Sequence, residues 1–490
     1  MSSVLNITSS TCKVVSSPSV NILSVFIGID LPGKVFFCTY VYIINPPGAM
    51  EDHEYYTENE SSYLTLCAEP TIIEGLRFAK DLIIVNVFLR FLIQFISMPN
   101  FVKHILALLL GSFLLYNTVG FAFLWTAGLT VGSYFLLMIL TLVIKKHRGI
   151  ITSALVMCFL LESEFLVVDS KMWHQIRGIQ MIAAMKVISV AIDLDKGFTL
   201  EAPSPAAYAG YIMSPASCVL GPWVSFHKYN ESLERKYLNR QWLNSVLVNT
   251  LLSVFALFLS NCFTHWYIPD DSLKWLVAYR DAQSFRMSHY FVSTLSSATM
   301  VAGGSGEKEG GSWGYPVTRP LHIEAPRSLV QVVIYWNMPM HQWLKTYVFK
   351  VCQPYGKFLA IFATYTVSSL LHGLNFQLSA ALLSIGMFSY VEYKMRAKIS
   401  SILSACCLVN PCNRSCAHVH KSGRLFVMCI NCAFSLLAMV HLAYLGVMFE
   451  ASLATQETGY SYVHTMNKWA ELGFASHVVA AITYLMYIVI

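Results

Sequence analysis

The sequence predicts an all-α polytopic membrane protein of ten to twelve spans, and three observations predict it. Hydrophobic residues fill 56% of the 490 positions and charged residues only 12%, about half the charged share usual in soluble domains. Mean hydropathy is +0.54. Charge-free runs recur at 104–144, 243–269, 358–391, 425–449 and 472–490, each near or above the roughly 20 helical residues that cross a bilayer. A net charge of +6 is too modest to suggest a nucleic-acid partner, so the expected surroundings are membrane lipids.

Residues 1–79 read as a divergent, flexible extension, with a membrane domain over 80–490. The extension holds short, broken apolar pieces and then the acidic EDHEYYTENES at 51–61, which makes Met50 a candidate functional start. The run 104–144 has length for two helices with a turn near Asn117–Gly120. Segments 82–98, 149–168, 274–300 and 328–350 are less pure, carrying Arg90, Glu162, Arg280 and Arg286. They are expected to face the bundle interior, where polar groups find partners. Stretches 172–192 and 206–226, broken by charge, Gly and Pro, suit re-entrant or interfacial pieces, because irregular backbone survives at membrane depth only when buried in protein. The run 358–391 has a hairpin's length, with its tip at HGLN, residues 372–375.

Positive charge clusters at KKHR (145–148) and at Lys394, Arg396, Lys398, Arg414, Lys421 and Arg424. The positive-inside bias assigns both clusters to the cytosol and turns the 372–375 tip toward the lumen. Cys406, Cys407, Cys412 and Cys416 are then cytosolic. The 13 cysteines are expected as free thiols, Cys262 among them, since a secreted-type disulfide framework does not suit a lipid-buried chain. No metal is expected in the loop CCLVNPCNRSCAHVH (406–420), whose spacing is not the usual C-x2-C. Free or S-acylated thiols are preferred there, and Cys412, Cys416, His418 and His420 are the weaker alternative as zinc ligands.

His372 lies inside SSLLHGLNFQLSAALL (368–383), apolar sequence where a titratable group needs a partner or a task. Upstream, in YWNMPMHQW (335–343), Asn337 precedes Pro339, which cannot donate a backbone hydrogen bond and favours a helix break. With these two residues stand MWHQIRGIQMIAAMKVISVAIDLDKG (172–197), GPWVSFHKY (221–229), VTRPLHIEAPRS (317–328), WNMPMHQWLKTYVFK (336–350), SSLLHGLNF (368–376) and KWAELGFASH (468–477). Carrying these stretches in order over about residues 80 to 490, the sequence resembles the membrane-bound O-acyltransferase family, and within it the enzymes that place palmitoleate on a serine of Wnt proteins. The resemblance implies a multi-helix bundle with an internal acyl tunnel in the endoplasmic-reticulum membrane. It also implies catalytic His372 supported by Asn337, palmitoleoyl-CoA as co-substrate with no other cofactor, and a Wnt acceptor arriving from the lumen. Trp336, Trp343, Tyr365 and Ser369 are the expected substrate contacts. Arg177 and Lys186 are the expected wall for the CoA phosphates.

The chemistry suits those residue types. A serine hydroxyl attacks well only as its proton is removed, and a neutral imidazole is matched to that task near neutral pH. The thioester oxygen becomes an oxyanion, which a fixed amide such as Asn337 can stabilise. No Cys or Ser is required as an acyl carrier, so direct transfer is the simpler scheme. The alternatives are an acyltransferase acting on a lipid or sterol, or a transporter whose His and Asn line a solute path.

Overall fold

The computed structural model describes residues 60–144, 146–167, 170–198, 201–373, 375–413, 415–449 and 462–490. The expected start at Met50 and most of the acidic stretch lie outside these residues, as do Lys145, Leu374 and Arg414. The described residues are helical, apart from loops and two isolated bridges, Glu307–Trp313 and Ala405–His420. The principal helices are α1 (Glu60–Phe95), α2 (Asn100–Val119), α3 (Phe123–Val143), α4 (Arg148–Glu162), α5 (Ser170–Asp195), α6 (Pro205–Ile212), α7 (Arg240–Phe258) and α8 (Lys274–Ala302). They continue with α9 (Leu329–Trp336), α10 (Met338–Leu344), α11 (Lys357–Leu371), α12 (Phe376–Ile402), α13 (Leu425–Gly446), α14 (Tyr462–Glu471) and α15 (Ala475–Val489).

Helix α1 runs unbroken through residue 79, so the extension expected there is helical from Glu60 onward. It lies antiparallel to α7. Cys67 is disulfide-bonded to Cys262, with Cα atoms 5.8 Å apart; Gly75 faces Val254 and Leu257; and the Phe91 and Trp242 rings lie 6.3 Å apart. The disulfide corrects the expectation of a free Cys262. Its partner is 195 positions away, out of reach of any local pattern. Helix α8 returns alongside α7, since Trp242 Nε1 donates to Val301 O, and Gly304 at its far end meets Arg90.

The turn expected near 117–120 is present. Gly120 has φ +58, a left-handed backbone that glycine adopts without strain. Helices α2 and α3 fold back there, because Gly111 touches Met213 while Ser133, far along α3, bonds Tyr208 Oη at 2.8 Å. Helix α4 pairs with α5, with Arg148 Nε donating to Asp195 Oδ1 at 2.9 Å. Helices α11 and α12 form the expected hairpin, in register through Phe358–Tyr390, Tyr365–Gly386 and Ser369–Ser379.

Among the described residues, three helical stretches, Asn100–Val143 (the folded-back pair α2 and α3), Arg240–Tyr267 and Leu425–Gly446, are long and apolar enough to cross a membrane. The pair α14 and α15, bent by 70°, makes a fourth if it is one span. That is fewer than the ten to twelve expected, because several other long helices carry charge into the interior: Arg90 on α1, Arg177 and Lys186 on α5, Arg280 and Arg286 on α8, Glu392 and Arg396 on α12. Partners meet much of that charge. Arg286 forms a two-pronged pair with Glu324, at 2.8 and 3.0 Å, and Arg280 contacts Asp270 and Asp281. Glu162, by contrast, is exposed.

Helix α5 corrects the interfacial reading of 172–192. Residues 176–191 are buried throughout, so this helix is a central post. The neighbouring 206–226 stretch is α6 followed by irregular, mostly buried backbone, as irregular structure at membrane depth requires.

Candidate active site

His372 ends α11 with φ −82 and ψ 1, and Gly373 follows with φ +86. A glycine in this left-handed position closes a helix C-terminus at no steric cost. Asn375 then starts α12, its side-chain oxygen accepting from Leu378 N at 3.4 Å. The sequence HGLN is thus a helix stop, a turn and a helix start, and it holds the half-buried imidazole at a hairpin apex. The Gly373 backbone lies against Glu164. A methyl group there would come within 2.7 Å of either carboxylate oxygen, so a larger residue would displace the Glu164 side chain and carry the strain of the positive φ. Arg177 lies buried on α5.

Asn337 sits at the break between α9 and α10, with φ −146 and ψ 90. A helix break frees backbone groups that need partners at membrane depth, and they have them here. Tyr335 O accepts from Arg319 N at 3.1 Å and from Thr318 Oγ1 at 3.0 Å. Met338 N donates to Val317 O at 2.8 Å, and His289 Nε2 donates to Trp336 O at 2.8 Å. Asn337 Oδ1 accepts from Met340 N at 3.0 Å, which leaves its NH2 as the end available to donate. Leu371 and Trp336, the chain neighbours of His372 and Asn337, belong to the same apolar cluster.

The other expected contacts divide. Trp336 stacks on His289, with centroids 4.2 Å apart. Trp343 is buried and donates from Nε1 to Met185 O at 3.1 Å. Tyr365 packs over Gly386, and Ser369 donates to Ser379 Oγ at 2.5 Å, so both tie α11 to α12. Lys186 has no donor left for a phosphate. Its ammonium is fully buried and bonds Tyr211 O at 2.9 Å, Ile212 O at 3.0 Å and Ser217 Oγ at 2.9 Å. A cation there meets the last carbonyls of α6, where the helix dipole favours positive charge. Lys186→Met is therefore expected to strand buried acceptors at about 1–3 kcal/mol each. Thermal unfolding in detergent should shift to lower temperature while the KM for an acyl donor in the surviving protein stays unchanged; a raised KM with unchanged stability would return Lys186 to the substrate site.

Sequence reasoning missed Glu164 and His289. Each was legible only as one more polar residue in an apolar run, and both partners lie far along the chain. A cavity of about 370 Å³ lies elsewhere, lined by Asn100, His104, Ser204, Phe226 and Glu234 among others.

A buried-charge helical bundle with long apolar helices, a histidine at a capped hairpin apex and an asparagine at a propped helix break has the features of a polytopic membrane protein. Residues 91–440 match the model of MBOAT, the membrane-bound O-acyltransferase family. The chain is 38% identical over 435 residues to the protein-serine O-palmitoleoyltransferase porcupine of Mus musculus and 37% identical to that of Homo sapiens, covering 84% of this chain and 94% of each relative. The Anopheles gambiae porcupine is 35% identical over 461 residues, 86% of this chain and 93% of its own length. The chain belongs to the membrane-bound O-acyltransferase family.

Proposed function

We propose that this protein transfers palmitoleate from palmitoleoyl-CoA to a serine hydroxyl of Wnt proteins, in the endoplasmic-reticulum membrane. The observation that carries the reading is the capped apex that holds His372, together with 84% coverage by relatives named for this reaction. In the reaction, His372 takes the serine proton as the oxygen attacks the thioester carbon. The tetrahedral oxyanion accepts from the Asn337 amide, the C–S bond breaks, and the CoA thiolate leaves with a proton returned to it. The acyl chain lies in a tunnel beside the α11–α12 hairpin.

The test is purified protein with labelled acyl-CoA and a Wnt-derived hairpin peptide. Transfer to the peptide serine is expected; transfer only to lysophospholipid or sterol would replace the acceptor and keep the chemistry. Palmitoleoyl and palmitoyl chains differ little in apolar area, so a selective tunnel must read the cis bend. A bent apolar path gives about 1–3 kcal/mol of discrimination, roughly 10- to 200-fold. Two donors competing in one reaction are expected to yield products in that ratio, and a ratio near one would mean a straight or loose tunnel.

A further inference from the structure

Far from His372, the loop between α12 and α13 gathers Cys406, Cys412, Cys416 and His418 so that one ligand atom from each lies within 4.8 Å of all the others. Cys406 Sγ is 3.5 Å from Cys416 Sγ and 4.0 Å from His418 Nδ1, and Cys412 Sγ is 3.6 Å from the same nitrogen. A tetrahedral zinc with Zn–S near 2.3 Å and Zn–N near 2.0–2.1 Å has edges of roughly 3.5–3.8 Å. The 3.5 and 3.6 Å separations fall within those edges, and the 4.0 Å one is about 0.2 Å longer.

We propose that these four residues form a structural Cys3His zinc site. The chemistry of the donor set selects zinc, since three thiolates and an imidazole in a closed tetrahedron suit it best. The surroundings are built for it. Ser400 Oγ donates to Ala405 O at 2.6 Å, so it accepts from His418 Nε2 at 3.0 Å. That bond puts the imidazole proton on Nε2 and turns the bare Nδ1 lone pair to the thiols, the orienting contact that metal-bound histidines make. Zinc with three thiolates carries one net negative charge, and Lys421 Nζ lies 3.3 Å from Cys416 Sγ to offset it. Binding releases the three thiol protons to solvent.

Cys406 enters the site because the Ala405–His420 bridge folds the loop back, with Cys406 N donating to His420 O at 2.9 Å. His420, a ligand candidate on spacing, serves through its backbone, and its ring packs on Phe426. The closed loop also holds the start of α9. Arg327 donates to Cys406 O at 2.9 Å and Leu408 O at 3.1 Å, and Ser328 Oγ donates to Val409 O at 3.2 Å. Eight residues of helix on from Ser328 stands Asn337, so the zinc site braces the foot of the helix that presents it.

Full-length protein purified in detergent with a phosphine reductant and no chelator is expected to carry about one zinc per chain by mass spectrometry. Zinc-edge X-ray absorption should give three sulfur neighbours near 2.3 Å and one nitrogen near 2.0–2.1 Å. Cys412→Ser and His418→Ala should lose most of the metal, while Cys432→Ser, an exposed cysteine outside the cluster, keeps it. The absorption measurement uses the unaltered protein, so it decides even if a variant fails to accumulate. Metal-free protein, a Cys406–Cys416 disulfide, an acyl group on Cys412, or zinc undiminished by Cys412→Ser would each overturn the site.

Discussion

His372→Ala is expected to lower acyl transfer by two to four orders of magnitude, the usual range for loss of a general base (about 10²- to 10⁴-fold). The direction follows from where the imidazole stands. It is half-buried at an apex whose geometry the Gly373 turn and the Asn375 cap set. Removing it deletes a proton acceptor and leaves the hairpin its register contacts at Tyr365 and Ser369. The substituted protein should therefore reach the membrane in normal amount and unfold at the same temperature. Single-turnover transfer from labelled palmitoleoyl-CoA is the measurement, since it isolates the chemical step. Unchanged transfer would remove His372 from the mechanism.

Asn337→Asp is expected to cost about 10²- to 10³-fold in kcat, the range seen when one oxyanion donor is lost. The side chain has two ends with separate duties. Its oxygen caps α10 through Met340 N, and a carboxylate caps a helix start as well as an amide does. Its NH2 is the donor that the oxyanion needs, and aspartate has none. The substitution thus keeps the fold and deletes the chemistry, whereas Asn337→Ala loses both and costs roughly 1 kcal/mol more in stability. Thermal unfolding and single-turnover rates measured on both variants separate the duties. A fully active Asn337→Asp protein would make Asn337 a cap alone.

The hairpin and the break were legible because each is written locally. The charge-free run 358–391 marks the hairpin, although its second helix runs on to Ile402 through Glu392, Lys394 and Arg396; Gly373 and Asn375 write its turn, and Pro339 writes the break at Asn337. What could not be read depends on distant partners. Helix α5 looks interfacial because Arg177, Gln180 and Lys186 interrupt it, yet the groups that meet Lys186 come from residues 211–217. The helicity of 60–79 and the pairing of Cys67 have the same origin, since what they pack on is α7, nearly 200 residues away. Cys406 joined the metal-ligand set through a bridge to His420, which spacing along the loop does not encode.

The helix directions also place the two sulfur chemistries at opposite ends of the bundle. The disulfide joins the start of α1 to the end of the α7 span, and α8 begins nearby. Helix α13 then runs back along α8, with Gly446 against Ala282, which carries Leu425 and the thiol cluster to the other end, where α1 also finishes. A disulfide at Cys67 and free thiols at Cys416 fit the expected topology, in which the Cys67 end would face an oxidising solution and the Cys416 end a reducing one. A membrane keeps them apart; detergent merges them. In one tube, thiol concentrations that protect Cys406, Cys412 and Cys416 work to open the Cys67–Cys262 bond, while an oxidant that preserves the bond threatens the cluster. Extracted protein therefore has a narrow window of redox poise in which both ends remain native, a constraint that a bilayer separating the two ends would remove.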